Sequence, residues 1–134
     1  MQTILVGVFL LLHGLVHLLY AGQTWRLFEL RPNMTWPDGA WLLSKIFREE
    51  TTRRLASISL ALAAFGFVAG GAGLLLRQGW WQPVTVGAAV LSILSFCLFW
   101  DGRFRALDDQ GGIGVLINLA ILVIVWSQLC QLQF

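Results

Sequence analysis

Apolar residues run along this chain in four long blocks separated by short polar passages. Met1–Trp25, Leu55–Leu76, Gln78–Trp100 and Gln110–Phe134 contain no Asp, Glu, Lys or Arg. Each is at least as long as the roughly 20 apolar residues that an α-helix needs to cross a hydrocarbon layer. The pattern predicts an all-α polytopic membrane protein: an antiparallel bundle of four transmembrane helices over about 3–22, 55–76, 84–100 and 113–131, in one domain spanning 1–134. The first block has no basic residue ahead of it and no small-residue cleavage pattern, and it outruns a signal-peptide core. It reads as a permanent helix.

The polar passages carry local signals of their own. Gln23–Arg31 reads as a continuation of the first helix until Pro32 stops it. Thr35 and Asp38 have capping-box spacing, and Pro37 is tolerated in a first helical turn. Trp41, Leu42 and Ile46 then share one face, and Glu49–Arg53 and Glu50–Arg54 form i,i+4 pairs in the favourable order. An interfacial helix over about 36–54 is therefore expected, leading into the second span. A turn at Gln78–Pro83 and a polar loop at Asp101–Gly112 make the other connections, with Asp108-Asp109 placed to cap the fourth helix.

Charge gives the chain an orientation. Charged residues are only 12% of the sequence, hydrophobic residues are 57%, and mean hydropathy is +0.74, which excludes a soluble globule. The net charge of +2 without a basic stripe excludes a nucleic-acid binder. Arg26, Arg31, Lys45, Arg48, Arg53, Arg54, Arg103 and Arg105 fall in the two loops that face one side, and Arg77 alone faces the other. By the positive-inside rule the long first loop is cytoplasmic, both termini lie outside, and the lipid bilayer is the first partner. Trp80 and Trp81 then sit at the outer interface.

Small residues mark where such helices touch, because lipid supplies no hydrophobic drive for their association. Ala56, Ser59, Ala63, Gly66, Gly70 and Gly73 form a seam on the second helix, and Thr85, Ala88, Ser92 and Ser95 form one on the third. The first helix reads Gly7, Leu10, Gly14, His17, Ala21, and the fourth reads Gly111, Gly114, Asn118, Ile121, Val125, Gln128. Gly14, Gly66, Gly70 and Gly73 are the expected close contacts, while Leu74 is expected on the lipid-facing side. Cys97 and Cys130 lie near opposite faces of the bilayer, too far apart for a bridge, and read as buried small hydrophobes.

The polar residues inside the spans are the chemical candidates. His13 and His17 share one face of the first helix, Ser92 and Ser95 lie on the third, Asn118 lies on the fourth, and Asp101 closes the third. Helix rise places His17, Ser95 and Asn118 about 6–8 Å in from the loop side, and His13 and Ser92 about 12–13 Å in. A ligand or proton site in this layer would open toward the cytoplasm near Asp101, whereas a structural network would be closed and dry.

Several chemistries compete for that layer. Two His at i,i+4 point the same way and cannot be the opposite axial ligands of one haem, and the chain has no third His. Asp101 or Cys97 could complete a metal site with His13 and His17, but Gly14 stands where the helical HExxH pattern carries its general base. A proton-linked or lipophilic-ligand pocket beside a His–Asn–Ser layer is the third reading. No G-x-S-x-G is present, and Gly111-Gly112-Ile113-Gly114 lacks the context of a phosphate loop. No cofactor is expected. The favoured function is a non-enzymatic membrane protein that binds a lipophilic ligand or serves as an accessory subunit of a larger membrane assembly, alone or as a homo-oligomer. A membrane enzyme or a redox or metal protein built on His13 and His17 stays open as the alternative.

Leu12-His13-Gly14-Leu15-Val16-His17-Leu18, the Trp80-Trp81 pair, Phe99-Trp100-Asp101-Gly102-Arg103-Phe104 and Leu116-Ile117-Asn118-Leu119 together touch all four spans. In these motifs the chain resembles a family of small bacterial four-helix integral membrane proteins. The resemblance implies a four-span architecture in a bacterial inner membrane and singles out His13, His17, Asp101 and Asn118. It implies no reaction. The Trp36-Pro37-Asp38-Gly39 turn makes the first loop more elaborate than that family's usual connection.

Overall fold

The computed structural model describes residues 1–104 and 111–132. Its elements are α1 (Gln2–Thr24), a 3-10 turn at Leu43–Lys45, α2 (Glu49–Leu75), α3 (Trp81–Leu98) and α4 (Gly112–Leu132), with no strand among the described residues. Arg105 and the Asp108-Asp109 cap lie outside those residues. Three helices, α1, α2 and α3, are long and apolar enough to cross a membrane, and α4 is apolar over Gly112–Gln128.

Successive helices pack side by side. α1 lies along α2, α2 along α3, and α3 more sparsely along α4, whereas α1 and α4 barely approach one another. One end of the bundle carries the long loop and is called the loop end; the start of α1 and the α2–α3 turn mark the terminal end.

α2 is the central helix because it offers small residues to both neighbours. A methyl group at Gly14 would sit 2.9 Å from the Ala64 carbonyl oxygen, and one at Gly71 would sit 2.8 Å from that of Gly7, so α1 and α2 touch backbone to backbone. On the opposite face, a methyl at Gly66 would lie 2.7 Å from the Ala88 Cβ, one at Gly70 would strike the Thr85 hydroxyl, and one at Gly73 would reach the Trp80 ring at 2.8 Å. Leu74 is half-buried against the cluster of Leu10, Phe67 and Val125 and does not face outward as expected. Gly111, at φ +86, precedes α4 with the Phe96 ring where its Cβ would be, so both backbone and space demand glycine there.

The loop departs from its sequence reading. α1 stops at Thr24 instead of running to Arg31, because Arg26 takes a left-handed conformation (φ 58). Arg26 N–H then donates to the Gln23 carbonyl (3.0 Å) and Leu27 N–H to that of Gly22 (3.1 Å), closing the last turn. Arg77 ends α2 in the same way. A left-handed arginine costs roughly 1–2 kcal/mol. At Arg26 that cost is offset by the guanidinium, which donates to the carbonyls of Met34, Thr35 and Trp36 and pairs with Asp38 at 2.8 Å.

The expected interfacial helix over about 36–54 is not present as one element. Turns and the short 3-10 segment fill the stretch up to Phe47, and only Glu49 onward is helical, as the first turns of α2. Gly39 at φ +75 leaves helical geometry, its N–H donates to the Glu49 carboxylate, and Asp38 accepts from Arg26 and Arg53 rather than closing a capping box. The loop is folded against α3 instead: Trp41 donates its backbone N–H to the Trp100 carbonyl (2.7 Å) and its indole N–H to that of Cys97 (2.8 Å). Cys97 and Cys130 are both unpaired, and both are exposed rather than buried.

Candidate functional site

Polar side chains of α1, α3 and α4 close into one ring of hydrogen bonds. His13 and His17 stand on the inward face of α1 one turn apart, 6% and 1% exposed, and Ser92 and Asn118 reach them from α3 and α4 with no exposure at all. His13 Nε2 lies 2.8 Å from Asn118 Oδ1, Asn118 Nδ2 lies 2.7 Å from Ser92 Oγ, Ser92 Oγ lies 2.6 Å from His17 Nε2, and His17 Nδ1 lies 2.9 Å from the His13 carbonyl oxygen.

The acceptors fix the direction of every bond. A backbone carbonyl only accepts, so His17 carries its proton on Nδ1. Its Nε2 in the neutral ring is then an acceptor, and Ser92 must donate to it. The Asn118 amide donates to the Ser92 oxygen, and its carbonyl oxygen accepts from a His13 protonated on Nε2. The proton positions follow from the network. Each donor meets an acceptor, and the last bond returns to the residue that began the chain.

Aromatic rings wall the layer. Phe67 of α2 packs edge-on to His13 (4.7 Å between centroids) and tilted against His17 (5.1 Å), Phe9 stacks on His13 at 5.7 Å and 9°, and Phe96 lies 5.8 Å from His17. These phenylalanines escaped the sequence reading. Phe9 precedes His13 by the spacing that separates the two histidines, a legible signal; Phe67 sits on another helix and gave none.

Not every candidate joins the ring. Ser95 is buried, but its hydroxyl donates to the Leu91 carbonyl of its own helix at 2.7 Å. α3 ends at Leu98, so Asp101 lies beyond it at the loop end, where its carboxylate accepts the Arg103 N–H (2.8 Å). Ser92 is the α3 member of the ring, and it bonds His17, the histidine nearer the loop end, rather than pairing with His13 at its own expected depth. Among the described residues no group of three or more His, Cys, Asp and Glu converges on one point. Both imidazole Nε2 atoms are already engaged in the ring, so a metal or haem iron bound there would have to displace Ser92 or Asn118.

Toward the terminal end, the gap between α1 and α4 forms a cleft of about 200 Å³. Leu5, Val6, Phe9 and Leu10 line it from α1, Trp81 and Thr85 from α3, and Ile121, Ile124 and Val125 from α4. Its one polar residue, Thr85, turns a buried hydroxyl toward Gly70, with no hydrogen-bond partner among the described residues. The cleft therefore lies on the side of the ring away from Asp101, opposite to the opening expected near the loop end. Compared with family models, with curated proteins and with solved structures, the chain matches none.

Proposed function

We propose that this protein is a four-span integral membrane protein of a bacterial inner membrane, with its long loop in the cytoplasm, that binds an apolar chain in the cleft between α1, α3 and α4. The outward surface supports the membrane reading. Leu12, Leu62, Phe65, Leu116, Val123 and Trp126 are all more than half exposed, a solvent contact that hydrocarbon tolerates and water does not.

The observation that carries the ligand reading is the cleft's lining. It offers no charge, and the Thr85 hydroxyl is turned away from it toward Gly70; it opens outward past Leu5 (63% exposed), Phe9 (44%) and Ile124 (48%). A volume of about 200 Å³ suits a segment of an acyl or isoprenoid chain rather than a whole drug-sized molecule. The hydrogen-bonded ring serves this site by tying α4 to α1 at the cleft's inner end, where the backbones themselves do not meet.

Mass spectrometry of lipids retained after detergent purification tests the reading. One lipophilic species should be enriched over its abundance in the membrane, and Ile124→Trp at the cleft mouth should remove it without lowering the melting temperature. Retention of bulk lipids in membrane proportions would refute ligand binding. A Soret band or a stoichiometric transition metal in the same preparation would replace it with the redox or metal reading on His13 and His17.

A further inference from the structure

The loop end carries a cavity of about 330 Å³ whose lining, unlike that of the cleft, is charged. Thr24, Trp25 and Arg26 from the end of α1 and Glu50, Arg53 and Arg54 from the first turns of α2 line it. Three arginines and one glutamate thus line a hollow where α1 ends and α2 begins.

Their hydrogen bonds are not all spent. Arg26 has both terminal nitrogens engaged, on loop carbonyls and Asp38. Arg53 uses only Nε, on Asp38 Oδ1 at 2.9 Å, and its terminal amino groups have no hydrogen-bond partner among the described residues. Arg54 uses one terminal nitrogen, on Glu50 at 2.6 Å. The Asp38 and Glu50 bridges hold the two guanidinium groups in place while leaving forked N–H donors free. Such forks match the oxygens of a phosphate, which bonds them in pairs.

The surroundings indicate which phosphate. Trp25, Leu27 and Phe28 follow the end of α1 and are 57%, 76% and 42% exposed, an apolar and indole-bearing rim of the kind that settles at the headgroup level. We propose that this cavity binds a phosphate ester, namely the headgroup phosphate of an anionic membrane lipid, between Arg53 and Arg54. The inference rests on the membrane reading above but not on the cleft, which lies at the other end of the bundle.

The full-length protein in detergent, titrated with phosphatidylglycerol or with phosphatidylcholine of the same acyl chains and read by native mass spectrometry, tests it. Phosphatidylglycerol should bind in preference, and Arg54→Gln should weaken it about tenfold, the loss of a charge-assisted pair of hydrogen bonds. Arg53→Lys keeps the charge and the fold but loses the fork, and should weaken binding in the same direction. Arg77→Gln, at the terminal end, should change nothing. Equal binding of the two lipids, or an Arg54→Gln protein that melts and binds like wild type, would overturn the site. Displacement of the lipid by excess inorganic phosphate would overturn the lipid as occupant and assign the cavity to a soluble phosphate. Continued insertion of the variants into vesicles separates failure of this site from failure of the membrane reading.

Discussion

His13 donates a hydrogen bond to Asn118 across 2.8 Å, although 105 residues separate them in the chain. The bond joins α1 to α4, the pair of helices whose backbones hardly approach, and it does so through a ring in which each proton has one consistent place. The ring is buried, so a polar side chain that loses its partner there is left unpaired, and the ring should act as a unit.

Asn118→Leu should destabilise the bundle by about 1–3 kcal/mol, because it strands the His13 N–H and removes the donor to Ser92. Combining it with His13→Phe should recover part of the loss, giving a coupling energy of about 0.5–2 kcal/mol in a thermal-unfolding cycle in detergent. Strict additivity would show that the two residues do not share the bond.

Gly14→Leu should cost at least about 1–3 kcal/mol, since a side chain there meets the Ala64 carbonyl oxygen and Val68 at 2.9 Å. Gly70→Leu, pressing on Thr85, should behave alike. Leu62→Ala, on a 58% exposed position, should stay within about 0.5 kcal/mol of wild type. Unfolding midpoints measured in one detergent compare the three.

Arg26→Gln should loosen the first loop and leave the helices intact. The guanidinium is the donor for three successive loop carbonyls, and no other side chain among the described residues replaces it at Thr35 or Trp36. Chymotrypsin should then cut after Phe28 and Trp41 several-fold faster, while circular dichroism keeps its helical amplitude. Unchanged cleavage would show that Asp38, Arg53 and the Trp41 contacts hold the loop without it.

A reporter fused after Phe134 should be active outside the cytoplasm, because eight Lys and Arg lie in the two loops of one side and Arg77 alone on the other. Cytoplasmic activity of that fusion would reverse the orientation and move the arginine-lined cavity to the opposite leaflet.

Much of the architecture was present in the order of residues. Four charge-free blocks yield four helices, because long apolar runs bury their backbone, and a helix satisfies its N–H and C=O groups locally. The inward stripe of α1 was legible for the same reason: Gly7, Leu10, Gly14, His17 and Ala21 recur with the helical period and are all buried. What lay beyond a single helix was not legible. The spacing 35–38 suggests a capped helix, but Gly39 and the claims of Arg26 and Arg53 on Asp38 produce turns, since distant charges outbid a local propensity. Helix rise alone placed Ser95 level with His17 and Asn118. The sliding of α3 against α1, set by side-chain packing on α2, brings Ser92 to His17 instead. Sequence determines which residues a helix turns inward, because that depends on a local period. Only the tertiary structure decides which of them meet, because the stagger between helices is fixed by contacts that no one helix contains.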